Sequence, residues 1–450
     1  MQKPQGNFDE TKNFGQAQRK PELLAPAGDL EKLKYAFAYG ADAVYIGGSA
    51  FGLRAYAGNF DEQEMAEAVA WTRSLGKKIY ITVNIFAHEP DFKELPEYLK
   101  LLEALGVDGA IVSDPGVIDL AQEVAPKLPL HLSTQSNSTN SYSIRFWMKH
   151  GIERVVLARE LTLEEIRDVR TKVDGELEMF IHGAMCMSYS GRCLLSNYLN
   201  GRDANRGECT QPCRWSYGLV EEKRPGEVFP IEEDERGTYI FNSNDLCLLP
   251  YLPMLKELNV ESWKIEGRMK SAHYVASTVK VYREAIDTLW DQGEAEFKAG
   301  LPKWLAEMDR VSHRDYSSGF LYGKPGADAH NLETSHYVRE YDFIAVSHEP
   351  GEQLARSSEQ PVSDLGGHEA GSESQVDYPE LAWIEQRNHF RLGEVLEVLT
   401  PEGEPWSFEV REMWNEDGQL LEVGRHAKQL IQLRVPRAIP PFSILRRAKR

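Results

Sequence analysis

The chain has 450 residues, 42% of them hydrophobic, which excludes a wholly disordered polypeptide and allows one large domain or two ordinary ones. A formal charge of −19 excludes a surface that attracts nucleic acid everywhere, so a polyanion would need a local basic patch. The first twenty residues are polar and no later stretch approaches about eighteen uninterrupted apolar residues, so a cytoplasmic protein with no membrane partner is expected.

After that polar segment, short apolar runs alternate with longer helical patterns from Pro21 onward. The strand-like runs are Glu22–Ala25, Ala43–Ile46, Ile79–Val83, Gly109–Val112, Leu130–Ser133, Arg154–Leu157, Leu177–Ile181 and Ser262–Ile265. Helical patterns at Asp29–Tyr39, Asp61–Leu75, Glu94–Leu105 and Leu163–Val173 separate them, several preceded by a capping Asp or Thr. Eight strands with crossover helices predict an α/β, TIM-like (β/α)8 barrel, and the span is near the usual size of roughly 250 residues. An open doubly wound sheet is the alternative; the stretch Ala25–Asp29 is not the glycine-rich nucleotide loop it would need.

The seventh run ends near His182 and the eighth begins near Ser262, so an insertion over about 183–261 follows strand seven on the face that carries chemistry in such barrels. The barrel region is read as 21–335, ending in a helix from Ala272 to Leu289 and a connector to about Glu333. The period then changes to two: Tyr341–Ser347, Leu381–Gln386, Val395–Leu399, Ser407–Met413, Leu420–Val423 and Leu430–Val435 predict a small antiparallel β-barrel over 336–450. Residues 349–378, rich in Gly, Ser, Glu and Gln, read as a mobile hairpin insertion. From Gly424 to Arg450 there are eight basic residues and no acid, either a solvated tail or a contact surface for RNA.

All five cysteines, Cys186, Cys193, Cys209, Cys213 and Cys247, fall in the insertion. Clustered thiols in a reducing compartment point to zinc or an iron-sulfur cluster rather than disulfides. The gaps of six, fifteen, three and thirty-three residues lack the paired short knuckles of structural zinc. In Trp263–Arg268, alternation puts Lys264, Glu266 and Arg268 on one face, either as an ion network or as a trap for an anionic substrate. Asn84, Gln135, Arg159, Glu160 and His182 stand at strand carboxyl ends, where loop hydrogen bonding and catalysis both fit. Tyr189, Tyr198, Trp215 and Tyr217 in the insertion could stack on RNA bases or pack in a core.

Taken together, Glu22–Gly28, Tyr45–Gly48, Ser133–Gln135, Ala158–Leu161, His182–Cys186, Gly191–Cys193, Cys209–Trp215, Asn244–Cys247 and Lys264–Arg268 resemble the collagenase-like peptidase family (peptidase family U-thirty-two) over nearly the whole chain. Within it the sequence is similar to the branch of oxygen-independent tRNA hydroxylases that place 5-hydroxyuridine at the wobble position. That resemblance implies tRNA as substrate, prephenate as co-substrate, paralogues working as pairs, and a [4Fe-4S] cluster. Carried over by motif, its ligands would be Cys186, Cys193, Cys209 and Cys247, with Cys213 the alternative to Cys247. Catalytic roles would fall to Lys264, Glu266, Arg268, His182, Gln135 and Asn84, and co-substrate binding to Arg159 and Arg268. Proteolysis is the other function the family label implies, with His182 and Cys186 as a conceivable thiol–imidazole pair. No zinc-protease helix or serine elbow is present. A non-catalytic RNA-binding module with a structural metal is the third reading.

Overall fold

The computed structural model describes residues 18–52, 59–185, 193, 195–210, 212, 218–220, 228–230, 244–323, 338–347 and 378–449. Seven parallel strands come first: β1 (Glu22–Pro26), β2 (Ala43–Gly47), β3 (Lys78–Val83), β4 (Gly109–Val112), β5 (Leu130–Leu132), β6 (Arg154–Val156) and β7 (Glu176–Ala184). A small hairpin, β8 (Gly218–Val220) with β9 (Val228–Pro230), and β10 (Asp245–Cys247) follow, then β11 (Ser262–Ile265). Because β11 pairs in parallel with both β1 and β7, the sheet closes into the eight-stranded barrel expected from the sequence.

Local chemistry sets the helices. Asp29 accepts from Lys32 N to start α1 (Leu30–Ala38), and Asp61 with Glu64 forms a reciprocal cap on α2 (Glu62–Ser74). Thr162 and Glu165 cap the helix Leu163–Arg170 in the same way. The last two helices of the barrel region are long, Ala272–Asp291 and Glu294–Met308. One large core lies between strands and helices and includes Leu23, Ala25, Trp263 and Ile265, while Leu24, Ala43, Tyr45, Tyr80 and Ile111 fill the barrel interior. That division is the period-two alternation of the strands made physical.

Two elements near the barrel escape the sequence reading. Strand β10 runs antiparallel to the extended end of β7, setting Asp245, Leu246 and Cys247 opposite Ala184, Gly183 and His182. A short β12 (Tyr316–Ser317) then pairs with β10.

The C-terminal part contains β13 (Tyr341–Val346), β14 (Glu380–Gln386), β15 (Phe390–Arg391), β16 (Val395–Leu399), β17 (Trp406–Glu409), β18 (Met413–Trp414), β19 (Val423–Gly424), β20 (Leu430–Val435) and β21 (Ile444–Ala448). Seven of them form one antiparallel sheet in the order β17-β16-β21-β13-β14-β20-β18. This is the small antiparallel barrel-like unit expected from the sequence, in the form of a half-barrel: among the described residues no pairing joins its two ends. The expected strand Ser407–Met413 is divided between β17 and β18, and Leu420–Val423 supplies only the start of two-residue β19. The expected mobile stretch 349–378 lies outside the described residues, apart from Tyr378.

The basic C-terminus is the largest correction to the sequence reading. It is not a tail: β21 is central to the sheet, between β16 and β13. Arg446 is fully buried, 2.5 Å from Glu307 and 2.6 Å from Glu397, and so ties the sheet to the barrel's last helix. Arg447 pairs with Asp342 and Glu394, and Arg434 with Glu412. Tyr35 and Tyr39 donate hydroxyl protons to the carbonyls of Ser347 and Leu399, both at 2.8 Å, adding buried polar links across the same interface.

Candidate active site at the barrel mouth

The strand carboxyl ends bring together five of the polar residues picked from sequence: Asn84, Gln135, Arg159, Glu266 and Arg268. Arg159 lies on the Phe180 ring face at 3.8 Å. It donates to Glu266 Oε2 at 2.9 Å and to the Ala184 carbonyl at 3.1 Å. Arg268 is nearly buried, its Nη1 3.0 Å from Thr82 Oγ1 and its Nη2 2.7 Å from Asn59 Oδ1. Glycine makes that seat possible: a Cβ on Gly47 would collide with the Arg268 guanidinium, and one on Gly28 with the Arg268 carbonyl. Gly183, at φ +106°, likewise lets the Glu266 carbonyl pass.

Gln135 is 5% exposed. Its Oε1 accepts from Ser133 Oγ at 3.0 Å, while its Nε2 is buried with no hydrogen-bond partner. An amide donor left unmade in this way costs stability, and a ligand or a water that accepts from it would remove that cost. Asn84 Nδ2 stands 3.4 Å from the same Ser133 hydroxyl. Sequence reasoning missed Thr82 and Asn59. The signal for Thr82 was present, since alternation from Tyr80 puts it inside the barrel.

Lys264 does not share the mouth. Its Nζ turns down to Glu178 Oε1 at 2.7 Å, below the Tyr45 ring at 4.4 Å. Glu178 also faces Arg154, which holds Glu22 at 2.7 Å. Glu22, Arg154 and Ser262 each open their strand, so this network seals the amino-terminal end of the barrel, the end associated with stability. Lys264, Glu266 and Arg268 therefore each take a different partner; of the two sequence readings, the ion network describes Lys264.

His182 is also displaced from the expected position. The β7–β11 register slips between Lys264 and Ile265, so that His182 pairs with outward-facing Ile265. The ring consequently points away from the barrel interior, among Tyr274, Tyr282 and Tyr316, with Nδ1 3.4 Å from the Tyr282 hydroxyl. Burial, with Lys270 and His313 adding to it, lowers its pKa to about 3. At 1% exposure it is closed to a peptide substrate.

Cys247 lies across from His182 with its Sγ 3.9 Å from the Tyr282 hydroxyl, and burial pushes its thiol up to about 11. Cys193 and Cys209 are half-buried in a different setting. The chain stretches that carry them are laced together by Ser196 and Thr210 at 3.1 Å and by Asn205 donating to the Cys193 carbonyl at 3.3 Å. Cys186 and Cys213 lie outside the described residues, as do Tyr189, Trp215, Tyr217 and the side chain of Tyr198. No three metal-capable side chains gather among the described residues. Cys193 and Cys209 thus sit on one laced unit, whereas Cys247 lies apart from them beside His182 and Tyr282.

Beside the mouth a cleft of about 560 Å³ opens between the end of β11 and the C-terminal sheet. Glu266 and Arg268 line it on the barrel side, and Arg387, Asn388 and Lys449 on the other. No helix among the described residues is long and apolar enough to cross a membrane.

Comparison with known proteins adds an independent line. The similarity runs nearly the length of the chain: it is 40% identical over 434 residues to tRNA hydroxylation protein P1 of Bacillus subtilis, covering 96% of each chain. It is 37% identical over 460 residues to tRNA hydroxylation protein P of Escherichia coli, covering 93% of this chain and 94% of that one. A 23S rRNA 5-hydroxycytidine synthase of Escherichia coli is 37% identical over 309 residues, 68% of this chain and 46% of that one. The model of Peptidase family U32 matches residues 28–331 and that of the Peptidase family U32 C-terminal domain matches 371–446. With its closed barrel, its C-terminal half-barrel and these matches, the chain belongs to peptidase family U32.

Proposed function

We propose that this chain is an RNA-modifying enzyme that hydroxylates carbon 5 of the wobble uridine in tRNA, without molecular oxygen and with prephenate as co-substrate. The observation that carries the reading is the mouth itself. Two positioned guanidinium groups, Arg159 and Arg268, stand there with a buried amide donor, Gln135 Nε2, that lacks a partner. Relatives named for tRNA hydroxylation and for 23S rRNA 5-hydroxycytidine synthesis support the reading, the latter acting at carbon 5 of a pyrimidine, although a relative from Methanocaldococcus jannaschii, 43% identical over 306 residues, carries the name of a protease.

In this reading Arg159 and Arg268 bind a carboxylate of the co-substrate, for which guanidinium geometry is well matched. Glu266 fixes the orientation of Arg159 through their 2.9 Å contact. Gln135 Nε2 donates to a carbonyl oxygen of the base or co-substrate, and Asn84 with Ser133 sets the amide's orientation. A [4Fe-4S] cluster would be held by Cys186, Cys193, Cys209 and Cys247, with Cys213 as the alternative to Cys247. When bound, it would supply one-electron redox chemistry. A paralogous subunit belongs to the same reading.

The test is nucleoside mass analysis of tRNA from cells lacking the gene and any paralogue. Loss of 5-hydroxyuridine derivatives supports the assignment; unchanged amounts reject it. Iron and sulfide assayed in protein purified without air test the cluster separately. About four of each per chain, lost in Cys193→Ala, is the expected result.

A further inference from the structure

We propose that the cleft between the end of β11 and the C-terminal sheet is where the phosphate backbone of the RNA substrate docks, an inference that rests on the tRNA reading above. The whole chain is strongly acidic, with 70 Asp and Glu against 51 Lys and Arg. The cleft departs from that balance: Arg268, Lys270, Arg339, Arg387 and Lys449 line it, against the carboxylates of Glu266 and Asp342 and of Glu31 and Glu385, which pair with Arg387. A local excess of cations on an acidic protein is what selects a polyanion and steers it to one place.

The location supports the same conclusion. Glu266 and Arg268 belong to both the cleft and the mouth, so a strand lying in the cleft delivers its next nucleotide to the strand ends. Tyr341 and Phe343, both half-buried, line the sheet side. The basic C-terminal segment, the sequence's own candidate for RNA contact, supplies little to such a surface. Arg434, Arg446 and Arg447 are engaged with carboxylates, and among the described residues of that segment only Lys449, itself 3.6 Å from Asp342, reaches the cleft. The C-terminal sheet therefore contributes through its placement beside the barrel mouth, which the buried Arg446 pairs maintain.

Full-length protein purified without air is titrated against a tRNA transcript by filter binding at several salt concentrations. The variants are Arg339→Glu with Lys449→Glu, the neutral pair Arg339→Ala with Lys449→Ala, and a control pair, Arg425→Glu with Lys428→Glu. Arg339 and Lys449 are exposed and outside the proposed catalytic group. The reversed pair should weaken binding by about tenfold and flatten the log–log salt slope by about 1.5, with a smaller loss for the neutral pair and none for the control. Unchanged affinity and slope in both cleft pairs, with the wild type binding tightly, overturn the cleft and leave the tRNA reading standing. If the wild type binds no tRNA, the functional reading falls and the cleft proposal with it. The neutral pair keeps the test decisive should the reversed pair fail to fold.

Discussion

Replacing Lys264 by methionine isolates the buried ion pair at the foot of the barrel. Its Nζ lies 2.7 Å from Glu178 Oε1, with the two side chains 5% and 0% exposed. At an effective dielectric of about 20, that separation corresponds to about 6 kcal/mol of gross attraction, largely offset by removing both charges from water. Deleting one partner leaves the other charge buried, which typically costs about 3–5 kcal/mol. Glu178 retains Arg154 at 3.5 Å, so the loss should sit near the lower bound. We expect Lys264→Met to lose about 3 kcal/mol in urea denaturation, with an unchanged m value. Glu178→Leu added to it should recover much of that, because both charges go and Arg154 keeps Glu22 at 2.7 Å. The folded single variant should still modify tRNA. A single variant as stable as wild type, or a double variant weaker than the single, refutes the assignment of Lys264 to the structural network.

Three further outcomes follow from the geometry. Burial first, then neighbouring cations, holds His131 well below its ordinary value and His273 at about 3. Protons therefore bind the unfolded chain first, so stability is complete above about pH 6.5 and falls below it by about 1.4 kcal/mol per pH unit for each ring. Urea titrations from pH 7 to 5 should show His131→Phe flattening that dependence by one proton; an identical slope contradicts it. Gly47→Ala forces Arg268 from its seat, so tRNA modification should drop more than about tenfold for a cost in stability of only about 1–2 kcal/mol. Full activity in that variant would show that Arg268 needs no such placement. Arg446→Met leaves Glu307 and Glu397 to Arg310, at 3.3 and 2.8 Å, and should cost about 3 kcal/mol, read as faster release of a C-terminal fragment in limited proteolysis; unchanged protection contradicts the role given to Arg446.

The barrel was legible because each of its eight strands carries a short apolar run bounded by turn residues or a capped helix. All eight runs coincide with strands of the closed sheet. What failed was local. A one-residue slip at Lys264/Ile265 turns His182 out of the barrel, and no alternation pattern signals such a slip. Cys247 belongs to a three-residue strand too short to register as periodic. In β21, Ile444–Ala448, two consecutive arginines masked a central strand, because the acids that neutralise them, Glu307, Glu397, Asp342 and Glu394, come from elsewhere in the chain. At the mouth, the residue types were readable but not their partners. Arg159 with Glu266 spans 107 positions, and Arg268 with Thr82 spans 186.

The central claim, that the barrel mouth hydroxylates RNA, is tested most directly by complementation. In a strain lacking this gene and its paralogues, tRNA nucleosides are quantified after restoring wild type, Arg268→Ala, Gln135→Ala or Lys264→Met. Restoration of 5-hydroxyuridine derivatives by wild type and Lys264→Met, but not by the two mouth variants, is the predicted result. Full restoration by Arg268→Ala and Gln135→Ala, both stably expressed, would contradict it.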